Sequence, residues 1–147
     1  MANKNISVRA ATFNDVEALA NNLRKEDLEE LEALEAKPYE ALRDGMIFSD
    51  ECYALLLNDK VIGLFGVSRF QMPEDYASIW FLGSEETNYI PYEWLILGKE
   101  YINKFKKYGF LTNIVYTKNK LHIKWLLRMG AKFNAPSSKG FRQFFIY

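Results

Sequence analysis

Cysteine and histidine are nearly absent from this chain, one of each in 147 residues. A single cysteine, Cys52, excludes an internal disulfide. The lone His122 stands far from it in sequence, so a Cys–His catalytic pair and a Cys/His metal site both lack their parts. Cys52 sits in the apolar run of residues 52–57 and reads as a small buried hydrophobe, suited to a reducing cytoplasm. No apolar stretch reaches the ~18 residues a membrane span needs. Residues 1–5 are polar and lead straight into a strand-like segment, so no signal peptide is expected. Repeats, low-complexity tracts and Gly/Ser linkers are missing too, which leaves one domain over 1–147. Also missing are a Walker loop, a Gly-x-Gly-x-x-Gly turn and a Gly-x-Ser-x-Gly elbow, and with them the chemistries they serve.

What remains is an ordinary globular balance of 49% hydrophobic and 26% charged residues, with aromatics at 16% filling much of the core. A chain of this size buries roughly 68–70% of its unfolded surface, enough for a core without staples. The net charge is zero but divided. Residues 1–75 carry 8 Lys and Arg against 15 Asp and Glu, a net of −7; residues 76–147 carry 11 against 4, a net of +7. The basic half suits phosphate groups or a solvated helix face equally. With Tyr108, Phe110 and Tyr116 it also has the parts of a nucleic-acid surface, but neutral overall charge argues against that role.

Ile6-Ser7-Val8-Arg9-Ala10 alternates as a strand does. Thr12 and Asn14 offer N-cap chemistry to a helix with Val16, Leu19, Ala20 and Leu23 on one face. A second helix presents Leu28, Leu31 and Leu34 inward, and the run Glu26, Asp27, Glu29, Glu30, Glu32 and Glu35 reads as its solvated face. Pro38 starts a third helix carrying Tyr39, Leu42 and Met46. Residues 52–57 and 61–68 form a hairpin on the Asn58-Asp59-Lys60 turn, with Gly63 and Gly66 marking a bulge or close approach. Residues 76–82 add a strand. Pro91 opens a long helix with Trp94, Leu97, Tyr101, Ile102 and Phe105 inward, stopped at Gly109. Residues 111–116 form the next strand. Asn119 caps a helix with Ile123, Leu126 and Met129 inward, closed by Gly130. Two strands, 131–133 and 141–147, flank a turn at 136–140. The strand–helix–strand unit near the end demands one parallel pair in a sheet otherwise made of hairpins. The fold class is α/β, a mixed and mostly antiparallel sheet of about 6–7 strands with helices on both faces.

This order, with Ser7-Val8-Arg9-Ala10-Ala11-Thr12-Phe13-Asn14-Asp15, Asp59-Lys60-Val61-Ile62-Gly63 and the set Asn119, Trp125-Leu126 and Gly130, resembles the Gcn5-related N-acetyltransferase (GNAT) superfamily over nearly the whole chain. Within it, Pro38-Tyr39-Glu40-Ala41-Leu42-Arg43, Leu64-Phe65-Gly66-Val67, Trp80-Phe81-Leu82-Gly83 and the segment from Asn119 to Gly130 resemble a small family of short-tailed tailed phages, described as internal core or morphogenesis proteins and as acetyltransferase-like. The resemblance implies acetyl-CoA as cofactor and transfer of its acetyl group to an amine, on a small molecule or a protein. Its alternative is a non-catalytic assembly protein that contacts phage structural proteins. It places the chain in the cytoplasm of an infected bacterial host, with the virion as a second location. Open sheet edges and abundant aromatics leave room for a homodimer.

The resemblance also assigns residues. Trp80, Phe81 and Leu82 belong to the splayed strand that holds the pantetheine arm. Asn119 and His122 begin the helix beside it, and Lys124, with Lys118, Lys120 and Arg128, faces the adenosine phosphates. Two places depart from the pattern. The loop 83–91 lacks two glycines of the usual pyrophosphate turn and sets Glu85 and Glu86 where phosphates would lie, a repulsive arrangement. Thr87 or Asn88 is left to cap the helix behind it. Leu126 stands where the family carries its acid, a tyrosine; Tyr116 and Tyr147 are the substitutes at hand. Glu85 or Glu86 is the candidate base. His122 is expected to titrate near neutral pH, in a packing or capping role more than a catalytic one.

Overall fold

The computed structural model describes residues 4–137 and 139–147. Residues 1–3 of the polar start and Ser138 of the expected turn lie outside the described residues.

Alternation at the start of the chain produces β1 (Ile6–Ala10), which pairs antiparallel with β2 (Glu51–Leu57). β3 (Lys60–Ser68) folds back on β2 through Asn58 and Asp59, both at positive φ of 50° and 66°. Asn and Asp tolerate that left-handed backbone better than other side-chain-bearing residues, and two such residues in succession make a tight hairpin. The register shifts between Leu55 and Leu56, opposite Gly63, where the bulge was expected. A Cβ at Gly63 would stand 2.7 Å from the Phe81 ring, so the glycine also admits that ring to the core. β4 (Tyr76–Gly83) completes the antiparallel half.

The chain then crosses through α4 (Pro91–Phe105) to β5 (Phe110–Tyr116), which lies parallel to β4. β7 (Phe141–Ile146) pairs with β5, and the short β6 (Lys132–Phe133) with β7, giving the order β1-β2-β3-β4-β5-β7-β6. One face of this sheet packs against α1 (Phe13–Ala20), α2 (Lys25–Ala33) and α3 (Pro38–Phe48) through Val16, Leu19, Leu42, Leu64 and Leu82. The other packs against α4 and α5 (Lys120–Arg128) through an aromatic layer. There Phe65 meets Trp94, Tyr101 and Phe105 at centroid distances of 5.3, 5.1 and 6.3 Å. Each such ring contributes roughly 1.5–3 kcal/mol by leaving water.

One helix is turned differently from its expected orientation. Leu28 and Leu34 of the α2 region are 41% and 44% exposed, while Asp27 is fully buried and Glu30 only 8% exposed. The expected solvated acid face is therefore split, and two of its carboxylates point into the protein. The cause is the join between the two halves of the sheet. β4 and β5 pair at only three positions, Tyr76↔Phe110, Ala77↔Leu111 and Ser78↔Thr112, and then diverge. Backbone donors stranded by that divergence need acceptors, and α2 supplies them.

Candidate active site

Asn113 ends the parallel ladder. Its Nδ2 donates to Ile79 O on β4 at 2.7 Å, and its Oδ1 accepts the Ile114 N–H of β5 at 2.8 Å. The side chain fills the place of the next backbone pair and wedges the strands apart. At the far end α2 bridges the opening. Asp27 Oδ2 accepts the Gly83 N–H at 2.9 Å, and Gly83 O accepts the Arg24 N–H at 2.9 Å. Glu30 Oε1 accepts the Tyr116 N–H at 2.6 Å. Between wedge and bridge the β4 edge is open. Ser84 donates backward to Ile62 O of β3, and Gly83 donates the other way, into the gap. A strand alternates, so Phe81 turns its N–H and C=O into the gap as well, beyond the last pair with β5.

A cavity of about 220 Å³ runs through this opening, lined by Leu31 and Gly45 on the α2–α3 side and by Trp94 and Trp125 on the α4–α5 side. Glu30 is the one carboxylate in its described wall. Burial pushes the Glu30 carboxyl up to about 7, and Asp27 adds to the rise. The Tyr116 N–H and Arg24 pull the other way without reversing it. A carboxyl poised near neutrality inside an apolar cavity is the arrangement a general base requires.

A larger cleft of about 710 Å³ opens between α4 and α5 and shares Phe81, Trp94, His122 and Trp125 with the first. Its described wall carries three cations, Arg24, Lys124 and Arg128, and no carboxylate. Arg24 reaches it from the start of α2, donating to Thr87 Oγ1 and Asn88 Oδ1, both at 3.3 Å. The α4 N-terminus borders the same cleft with no side-chain cap; Pro91 has no N–H, which leaves the Tyr92 and Glu93 N–H groups for an anion. Two buried ring nitrogens shared by both cavities, His122 Nδ1 and Trp125 Nε1, have no hydrogen-bond partner among the described residues. Leaving such a group unpaired costs roughly 1–3 kcal/mol, an expense that a polar ligand in the cleft would remove. Gly98 sets the spacing of the two helices here: a Cβ would stand 2.3 Å from the Trp125 ring, which stacks on Trp94 at 5.4 Å.

No protein-family model matches the chain, and no curated protein matches it by sequence. Solved structures do. The GNAT domain of S. lividans PAT superposes with a TM-score of 0.71 at 18% identity, covering 95% of this chain and 88% of that one. PaiA N-acetyltransferase from Thermoplasma acidophilum, in complex with coenzyme A, gives 0.70 at 16% identity over 97% and 99%. AAC(6')-Ib, in complex with ribostamycin and coenzyme A, gives 0.69 at 13% identity over 95% and 91%. The fold is the GNAT fold.

Within that GNAT fold, Trp80, Phe81 and Leu82 lie on β4 along the gap. Trp80 faces α3 and donates its indole N–H to Ser49 Oγ at 2.9 Å; Phe81 packs on Trp94 at 4.9 Å. Leu82 is buried with the α1–α3 layer. Asn119 caps α5 by accepting the His122 N–H at 3.2 Å, and its amide donates to Asp27 Oδ1 at 3.3 Å. Lys124 lines the cationic cleft.

Several expectations are corrected. Glu85 and Glu86 are engaged by the protein itself. Glu85 accepts the Lys25 N–H and the Asn88 amide, each at 3.1 Å. Glu86 is bound to Lys60 on the β2–β3 hairpin, which holds its carboxyl below the usual range. Neither lines the cavity or the cleft, so neither is placed as a base. Thr87 and Asn88 do not cap α4, because residues 85–89 form a separate 3-10 turn in which the Thr87 hydroxyl donates to Ser84 O at 2.7 Å. Tyr116 contributes its backbone, while its ring leans on Phe141 at 5.2 Å, outside both walls. Tyr147 is 69% exposed and likewise outside them. Leu126 is buried, in keeping with its inward position, and lines the cavity. Cys52 is half-buried, and burial raises its thiol to about 12, which removes it as a nucleophile.

His122 is the last of these. Burial pushes its imidazole down to about 4, so it stays neutral at pH 7 rather than titrating there. Its ring protons in a carbon-resolved NMR titration are expected to hold their shifts from pH 8 down to pH 5.5. A midpoint near 6.5 would show the ring to be hydrated.

Arg24, Asp27, Glu30 and Asn113 were not singled out for chemistry from the sequence. Asp27 and Glu30 carried a faint signal, since four and one positions before Leu31 they stand on its side of α2, and all three are buried.

Proposed function

We propose that the chain is an acetyl-CoA-dependent N-acetyltransferase, with the cationic cleft holding the cofactor's phosphates and the gap between β4 and β5 holding its arm. The observation that carries this reading is Glu30, a single buried carboxyl near neutrality in the wall of a cavity threading the gap. Acetyl-CoA would supply an activated acyl carbon there. Arg24, Lys124, Arg128 and the open end of α4 would bind and orient the anionic part, replacing the basic glycine-rich turn that the loop lacks. The Phe81 N–H, on the gap side by strand alternation, would hold an acyl or amide oxygen. Glu30 would take the proton of the incoming amine as the C–N bond forms and the thioester C–S bond breaks, and would return it to the departing thiolate; the apolar walls would exclude water from it.

A second reading, a phage assembly protein that keeps the fold without catalysis, draws on one observation. Asp27 and Glu30 already occupy the Gly83 and Tyr116 N–H groups, and the Asn119 amide is held by Asp27. Those donors are spent on the protein itself.

Acetyl-CoA titration separates the two. A ligand that binds only the native state adds ~2.7 kcal/mol at a hundred times its Kd. The transferase reading expects a saturable rise in melting temperature with acetyl-CoA, and at least a tenfold weaker Kd by calorimetry in a Lys124→Glu/Arg128→Glu variant. An unmoved melting temperature at millimolar acetyl-CoA leaves the assembly reading.

A further inference from the structure

Resting on the transferase reading, we infer that the acceptor is a monoamine with an apolar or aromatic body, seated on the α2–α3 side of the gap. The cofactor cleft lies on the α4–α5 side, so an acceptor must reach the gap from the opposite face. That part of the cavity is lined by Leu31, Leu34, Ala41, Gly45, Trp80 and Ile114. Glu30 is the only charged side chain in the described wall, which matches one ammonium group. The other acids of α2 do not help a second one, since none lines the wall: Glu29 and Glu32 are exposed, Glu26 is half-buried outside it, and Asp27 is taken by Arg24 and the Gly83 N–H. A polyamine would set its second charge against leucine and tryptophan with no counter-ion, a costly desolvation.

A sugar-like amine fits no better. The polar atoms of that wall are already engaged, the Trp80 N–H by Ser49 and the Asn113 amide by Ile79 O and the Ile114 N–H. Hydroxyl groups entering there would give up water and find few partners. An aromatic ring, by contrast, meets the Trp80 indole, which lies against α3 because residue 45 is glycine: a Cβ there would stand 2.7 Å from Trp80 Cζ2. The acceptor side is only part of the about 220 Å³ that threads the gap, which limits the body to no more than a single ring.

The test is direct binding to the full chain by calorimetry, followed by thiol release from acetyl-CoA, with 2-phenylethylamine, spermidine and kanamycin as probes. The expected result is 2-phenylethylamine binding at least tenfold tighter than the other two. Gly45→Val, which crowds the Trp80 floor, should weaken it at least tenfold. Leu34→Asp, at the 44%-exposed mouth where folding is little at risk, should shift preference toward spermidine. Spermidine or kanamycin binding as tightly as 2-phenylethylamine, or 2-phenylethylamine binding that ignores both substitutions, overturns the inference. Spermidine acetylated in preference ends the inference and leaves the transferase reading standing. Failure of acetyl-CoA to bind ends the transferase reading, and the inference with it.

Discussion

Glu30→Gln is expected to lower kcat/KM by on the order of 10²–10⁴-fold, the range a positioned general base contributes, and at the same time to stabilise the protein at alkaline pH. The wild-type rate should rise with pH through about 7 as the carboxyl loses its proton, and the variant should lose that limb of the profile. Thiol release from acetyl-CoA between pH 6 and 8.5 reads both effects; an unchanged kcat/KM removes Glu30 from the chemistry. The stability effect has the opposite sign. The folded-state value lies near 7, against 4.5 for a free glutamate, so the native state holds the proton more tightly than the unfolded chain between those values. Stability present below pH 4.5 is therefore lost as pH climbs through 7, by about 3 kcal/mol for a shift of this size. Glutamine keeps an oxygen for the Tyr116 N–H and has no proton to lose. At pH 8 the variant should melt roughly 6–12 °C above the wild type, using the usual conversion for a domain of this length, and at pH 4 the two should nearly coincide.

Asp27→Ala is expected to be the most damaging single change to the fold, at about 3–5 kcal/mol. The residue is fully buried and has three partners: the Gly83 N–H, the Asn119 amide and Arg24, whose Nε lies 3.0 Å from Oδ2. Alanine would leave the Arg24 guanidinium, 6% exposed, as an uncompensated charge. Urea unfolding should show the midpoint falling sharply with little change in slope. Arg24→Met combined with Asp27→Leu should recover part of the loss, because a buried ion pair is worth little against apolar packing while half of one is a liability. A single Asp27→Ala effect below 1 kcal/mol would falsify the view that α2 fastens the two halves of the sheet.

The order of elements was legible because it depends on local signals. Alternation from Ile6, the Asn58-Asp59 turn, Pro91 at a helix start and Asn119 as a cap each fix their own neighbourhood. The sheet's mixed character followed from topology alone, since a helix between two adjacent strands makes them parallel. The orientation of α2 was not legible. Leu28, Leu31 and Leu34 suggest an apolar stripe, but the helix is rotated so that Asp27 and Glu30 reach the strand gap and two of the leucines face solvent. Periodicity reports which residues are apolar; it cannot report that backbone N–H groups some 56 and 86 positions away need acceptors. The same limit explains Glu85 and Glu86. Their chain position suggests a clash with phosphate, but Lys60 and the Lys25 N–H engage them outside the cleft wall, which takes Arg24 instead.

The gap is fastened at both ends before any ligand arrives. Asn113 fixes how far apart the strands begin, and the carboxylates of α2 fix how far apart they finish. An aperture framed this way does not have to close or order itself around what passes through it. The entropic charge of association then falls mainly on the ligand, which among acceptor amines favours short, stiff ones over long flexible ones.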